Sequence, residues 1–425
     1  MCGPVRRLRR ERPSVASSIA GRAEIAHPHQ PNPARGGTSG GGTPGRSPGE
    51  VAGGVRGQRG EAVSRGPGRA PTRRSRTSDA AGKGRDREKE RGTHMRIGLI
   101  GAGRIGSFHA TALAADDSVD DLLITDTDPP RAAGLATRLS ARTTTLDTLL
   151  RTADAVVITT PTATHAELIT RAAAAGLPAF CEKPVALGPR RTREALRAVE
   201  EAGTLLQLGF QRRFDPGFRA AREAVRAGRL GRVHTIRAVT SDAAPPPADF
   251  LPLSGGLIRD CLVHDFDTVR WLTGREVTEV YARGSAGGAA FFREAGDMDT
   301  AAALLTLDDG TLVTATATRY NGAGYDVRME LSGERDQWVA GLGERTPTTS
   351  AEPGGPGAPE RPWADFLERF EIAYRAELAH FLRAARGEAA NPCSGREGLA
   401  ALLVAEACEV SRRENRPVRV DPLGR

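Results

Sequence analysis

Residues 95–106 read MRIGLIGAGRIG: a short apolar run, glycines at 101, 103 and 106, and then a helical pattern that begins around Phe108. This is strand, turn, helix. Gly101 permits the tight turn, Gly103 lets a ligand's pyrophosphate approach the backbone, and Gly106 allows the helix to pack closely on the strand. Arg104 and Ile105 open the helix, whose N-terminus offers free N–H groups to an anion. A bare GxGxxG is a weak signal, and its surroundings strengthen it. A second strand at 122–125 ends at Asp126, twenty residues beyond Gly106, where a ribose-binding acid is expected. Its carboxylate would accept from both ribose hydroxyls and repel a 2′-phosphate, so NAD is the expected cofactor rather than NADP.

Outward from this unit the alternation continues. Helices are predicted at 130–140 and 146–150, then an apolar strand at 155–158 ending in Thr159, Thr160, Pro161 and Thr162, and a helix opened by His165. The next strand ends in Glu182, Lys183 and Pro184, followed by a helix at 190–202 and a strand at 205–210. The fold class is therefore α/β, a doubly wound parallel sheet. Ligands lie at the carboxyl ends of such strands, which places Thr160, Pro161, His165 and Glu182 among the expected cofactor-binding residues. His165 reads equally well as a structural histidine. Lys183 stands out by composition. The chain has three lysines, Lys83, Lys89 and Lys183, so arginine serves every other cationic position beyond residue 94. Arginine is always protonated and forked, whereas lysine is a compact donor, and a lone lysine marks a site that rejects arginine.

After residue 213 the doubly wound pattern stops, and a second domain is expected over 214–425, following a first over 95–213. Residues 254–274, SGGLIRDCLVHDFDTVRWLTG, carry apolar residues at helical spacing, with Asp260 and His264 four apart and thus on one face. A carboxylate beside an imidazole raises its basicity, as a general base requires, although such pairs are also common on helix surfaces. Period-two strands follow at 277–282, 300–307, 312–319 and 327–333, with an Asp309-Gly310 hairpin turn, after a strand at 232–240. They predict an open, largely antiparallel sheet. A mobile loop is expected over 343–362, a long helix over 363–386 and a last helix over 396–414.

Composition separates the ends of the chain. Residues 1–94 hold 20 Lys and Arg against 8 Asp and Glu, 27 Gly or Pro and no Phe, Trp or Tyr, and are read as a disordered basic extension. The strong positive charge belongs to that segment, and the remainder carries −4, which argues against a specific nucleic-acid partner. A strand begins at Met95, as expected if synthesis starts there and residues 1–94 are translated upstream sequence. No run of about 18 apolar residues exists to span a membrane. Five cysteines without a CxxC pattern fit a reducing cytoplasm and no metal site.

GAGRIG, an acid after the second strand, EKP and then GGxxxDxxxHD, in that order, resemble the Gfo/Idh/MocA oxidoreductases over nearly all of residues 95–425. QRRFDPGF at 211–218, GDMDTA at 296–301 and YNGAGYDVRMELSG at 320–333 make the likeness greatest to the inositol 2-dehydrogenases of that family. The resemblance implies a Rossmann domain followed by an α/β domain whose open sheet assembles a homodimer or homotetramer. It implies NAD-dependent oxidation of a secondary alcohol of a cyclic polyol, myo-inositol to its 2-keto form, with Lys183, Asp260 and His264 catalytic and Arg212 and Tyr325 facing substrate. In many relatives of this type a basic residue stands between the positions of Ser241 and Asp242, and here it is absent, which leaves the polyol open. A sugar oxidoreductase with the same catalytic group, or a non-catalytic dinucleotide sensor, are the other readings.

Overall fold

A computed structural model describes residues 94–421. The expected disordered extension therefore lies, His94 apart, outside the described residues. The first sheet contains β1 (Met95–Ile100), β2 (Val119–Thr125), β3 (Arg142–Thr143), β4 (Ala155–Ile158), β5 (Ala179–Glu182) and β6 (Leu206–Gly209). Its order is β3-β2-β1-β4-β5-β6, and every pair is parallel. Helices α1 (Arg104–Ala114), α2 (Pro129–Leu139), α3 (Leu146–Thr152), α4 (His165–Ala174) and α5 (Pro189–Ala202) make the crossovers. Every residue of β4, β5 and β6 is buried, as an apolar strand covered on both faces must be. Strand order reverses beside β1, so the carboxyl ends of β1, β4 and β5 border the crevice where a ligand binds.

Helix α6 (Pro216–Arg226) leads into the second sheet, which contains β7 (Val233–Ser241), β8 (Val277–Ser285), β9 (Thr300–Leu307), β10 (Leu312–Thr318), β11 (Asp326–Gly333), β12 (Gln337–Ala340) and β13 (Val418–Arg419). The order is β12-β11-β7-β10-β9-β8-β13, antiparallel except where β7 meets β10. Alternation in β9 and β10 turns Ala301, Ala303, Leu305, Val313, Ala315 and Ala317 inward. Helices α7 (Val263–Thr273) and α9 (Gly395–Glu414) pack on the inner side. Strands β7 and β10 are direct neighbours although β8, β9 and 70 residues of chain lie between them in sequence, and this parallel pairing brings the carboxyl ends of both strands to one place.

Two helical expectations change. The pattern over 254–274 is one helix in sequence, yet its first part, Ile258–Leu262, is a π-turn that leads into α7. The helix expected over 363–386 divides into a short helix at Phe366–Arg369 and α8 (Glu371–Ala385). Asp365 caps the first piece by accepting from Glu368 N at 3.0 Å, and Phe370 leaves helical geometry at φ −111° while its ring is fully buried. Helix α8 returns to the first sheet, where Leu378, Phe381 and Leu382 pack with Ile97, Leu99 and Phe180. Burying side chains of this size contributes about 1.5–3 kcal/mol each. The start of α9 covers the β6 edge, and Gly398 packs closely there, where a Cβ would lie 2.2 Å from the Leu208 side chain and push it aside.

Candidate active site

The glycine loop is built from close approaches. Gly101 has φ +104°, and a Cβ there would meet the Thr159 and Thr160 backbone at 2.9 Å. At Gly106 a Cβ would lie 2.0 Å from the Gly101 carbonyl oxygen. In contrast, nothing stands within 4 Å of a Cβ at Gly103, which faces open space. No side chain caps α1, so the first-turn N–H groups of Arg104 and Ile105 are available to an anion. Asp126, at the end of β2, accepts from Ala102 N at 2.6 Å and Asp128 N at 2.8 Å, which fixes its carboxylate against the loop. The Arg131 guanidinium stands 3.6 Å from it. These groups fit the phosphates and ribose of a dinucleotide.

The other expected cofactor residues divide by exposure. Thr160 and Pro161 follow β4 at the crevice, where the Thr160 hydroxyl accepts from Thr164 at 2.8 Å. His165 is 1% exposed, and its ring nitrogens lie 2.8 Å from the Pro184 carbonyl and 2.7 Å from the Thr160 carbonyl. Burial lowers its pKa. A neutral ring carries a single N–H and so donates to one of these two carbonyls, which holds His165 between the β4 loop and the Lys183-Pro184 turn. Glu182 points into a buried seam, with its Oε1 2.7 Å from His109 Nε2.

Lys183 follows β5 and donates from Nζ to Asp260 twice, to Oδ1 at 3.0 Å and to the main-chain oxygen at 2.9 Å. A π-turn shifts carbonyls out of the regular helical ladder and recurs at functional sites, and the Asp260 carbonyl is used here by a side chain. The other Asp260 oxygen accepts from Arg319 Nη2 at 2.7 Å. Burial alone would raise the Asp260 pKa, but Lys183 and Arg319 together hold the carboxyl well below the usual carboxylate range. His264, partly buried one turn on, packs edge-on against Phe210 with ring centroids 5.6 Å apart. Its Nδ1 is enclosed without a hydrogen-bond partner. Burial, then the Lys183 and Arg212 charges, push its pKa well down despite Asp260, so the imidazole is neutral at neutral pH. The expected direct pairing of Asp260 with His264 is not formed; its carboxylate oxygens accept from Lys183 and Arg319 instead.

Arg212 and Tyr325 lie deeper than substrate-facing residues were expected to. The Arg212 side chain is 2% exposed and donates to Asp265 Oδ1 at 2.6 Å and Thr240 Oγ1 at 2.9 Å, leaving Nε without a partner. Tyr325 is buried, and burial raises its pKa well above the usual phenol value, keeping it a neutral donor. Sequence reasoning missed Arg319, which gave no signal beyond ending a predicted strand. It also missed Asp297, whose carboxylate accepts from Leu257 N at 3.1 Å and anchors the start of the helix that carries Asp260. No group of three or more His, Cys, Asp or Glu among the described residues could hold a metal ion. None of the described helices is long and apolar enough to cross a membrane.

Comparison with known proteins shows the family. Residues 95–210 match the oxidoreductase family with an NAD-binding Rossmann fold, and residues 218–339 match the GFO/IDH/MocA C-terminal domain. The chain is 41% identical over 322 residues to the myo-inositol dehydrogenase Hyg17 of Streptomyces leeuwenhoekii, covering 75% of this chain and 97% of that protein. A crystal structure of a putative myo-inositol dehydrogenase from Sinorhizobium meliloti 1021 superposes with a TM-score of 0.71 at 36% identity, over 77% of this chain and 99% of that one. The scyllo-inositol dehydrogenase of Lactobacillus casei, solved with bound NAD(H) and scyllo-inositol, gives 0.70 at 29% identity over 77% of this chain and 99% of that one. The chain belongs to the GFO/IDH/MocA family of NAD-binding oxidoreductases.

Proposed function

We propose that this oxidoreductase oxidises a secondary alcohol of a cyclic polyol, myo-inositol to its 2-keto form, and that Lys183, Asp260 and His264 are its catalytic group. One observation carries the reading: the only lysine among the described residues is paired with a half-buried aspartate beside a neutral imidazole, at the carboxyl end of β5. An alcohol carbon releases hydride readily only as its oxygen loses a proton, so one group must take the proton and another hold the oxygen. NAD, when bound, accepts the hydride. His264 takes the proton on a ring nitrogen that burial keeps unprotonated. Lys183 holds the alcohol oxygen, and Asp260 holds Lys183 by two hydrogen bonds. Asp260 thus orients the lysine rather than the histidine. Arg212 and Tyr325 are read as donors to the remaining polyol hydroxyls, and the names of the relatives support the inositol choice.

The same reading extends to Gly101, Gly103, Arg104, Ile105, Gly106 and Asp126 as the cofactor cradle, and to domains over 95–213 and 214–425. Leu304 and Leu312 are 45% and 46% exposed on the outer face of the second sheet, and we read that face as the contact of a homodimer or homotetramer. Four buried free cysteines, Cys181, Cys261, Cys393 and Cys408, suit a cytoplasmic protein. The test is NADH absorbance with myo-inositol, scyllo-inositol, glucose and xylose. Turnover is expected with the inositols first. Turnover confined to the sugars would replace the substrate, and none with any secondary alcohol would refute the reading.

A further inference from the structure

We propose that Arg319 is a positioning residue for the Lys183–Asp260 pair, and that through Asp242 it ties the 242–250 loop to that pair. The inference rests on the reading of Lys183, Asp260 and His264 as the reacting group.

Arg319 follows β10, and its side chain is 5% exposed. It grips two carboxylates from different elements: Nη2 donates to Asp260 Oδ2 at 2.7 Å, and Nη1 to Asp242 Oδ2 at 2.8 Å. Asp242 directly follows β7, whose register with β10 sets Thr318 opposite Ser241, so the parallel pair delivers both residues to the same end of the sheet. Arg319 is held from behind, where its own N–H donates to the Asp299 carbonyl at 2.7 Å. A planar guanidinium can satisfy two carboxylates at once, and an ammonium cannot keep both in that geometry. Asp260 is therefore shared between two cations, one fixed and one available to substrate. The fixed cation occupies Oδ2 and leaves Oδ1 to set the position of Lys183.

The charge arithmetic has a sign. Arg212 also faces this group, but it is matched by Asp265. Glu182 Oε1 lies 2.7 Å from His109 Nε2, while Cys261 and His165 are buried on the flanks and neutral. That leaves Asp260 and Asp242 against Lys183 and Arg319. Burial raises the Asp242 pKa, and Arg319 opposes this. Removing the guanidinium leaves two carboxylates facing one lysine, so the group as a whole takes up a proton more readily.

Three variants test this by pH–rate profiles, with NAD affinity measured in parallel. Arg319→Met is expected to lower kcat by at least tenfold, move the acid limb of kcat/KM to higher pH, raise the polyol KM, and leave NAD affinity within twofold. Arg319→Lys restores the charge alone, so the acid limb returns while KM stays high. Asp242→Asn frees the loop and removes one carboxylate, raising KM with kcat kept and moving the acid limb to lower pH, opposite to Arg319→Met. Wild-type kcat and pH dependence in Arg319→Met would overturn the proposal, as would Arg319→Lys and Arg319→Met behaving alike. If Arg319→Met does not fold, the other two variants decide. A readout free of turnover separates this inference from the functional reading. Metabolic 13Cε-lysine labelling gives Lys183 as the one lysine signal beyond residue 94, assigned with Lys83→Arg and Lys89→Arg. That signal is expected to move in Arg319→Met and remain unmoved in Asp242→Asn, and an unmoved signal in Arg319→Met contradicts the proposal even where no polyol is turned over.

Discussion

The helix that carries Asp260 and His264 also carries Asp265, Asp267 and Arg270, and the two sets are treated oppositely. Arg213 grips Asp267 through Nε and Nη2 at 2.9 and 2.6 Å, and Arg270 grips Glu276 through two nitrogens while also reaching Glu397 at 3.1 Å. Asp267 and Arg213 are 0% and 4% exposed, and every charge in that set has a hydrogen-bonded partner. Across the helix, Lys183 and Asp260 retain 15% and 19% exposure, and the His264 Nδ1 has no partner. Saturated pairs hold the helix in place. The incompletely satisfied set is left able to exchange a proton and to receive a substrate hydroxyl.

The largest expected contrast comes from His264→Ala, which should lower NADH formation by at least about 100-fold while NAD affinity and melting temperature change little. Next, Arg213→Met leaves Asp267 buried without its partner and should cost about 3–5 kcal/mol in denaturant unfolding, with turnover per folded molecule largely kept. If Arg213→Met instead removed turnover without loss of stability, the division of the helix would fail.

A smaller effect is the pH dependence of stability. The folded pKa values of His264 and His165 are depressed, so their contribution is complete above the unfolded value of about 6.5 and is lost as pH falls below it. Melting temperature should fall from pH 7 to pH 5, and less steeply in His264→Gln; an identical slope would mean that His264 is not held neutral. The smallest effect is at the exposed Arg190–Glu194 pair, where Arg190→Ala should change stability by no more than about 0.5 kcal/mol.

The first half of the molecule was largely legible because its signals are local. Three glycines, an acid at fixed spacing and unbroken apolar strands need no distant partner to be read, and the scarcity of lysine pointed to Lys183. The second half was legible as strands and helices, but less so as contacts. Asp260 and His264 were placed together on α-helical spacing, and the π-turn at Ile258–Leu262 alters that spacing without disturbing the apolar pattern. Arg319 reaches Asp242 across 77 residues because β10 lies parallel to β7, a pairing that no hairpin announces. The division of the last long helix at Phe370 follows from burying that ring, which depends on what surrounds it.

The most direct test of the account is NADH formation by Lys183→Arg with myo-inositol, read beside its affinity for NAD. Arginine keeps the charge and can still pair with Asp260, but it substitutes a permanently protonated fork for a compact donor. The account predicts turnover reduced by at least about 100-fold with NAD affinity retained. Turnover equal to the wild type would contradict it, because the one lysine among the described residues would then have no chemical reason to be a lysine.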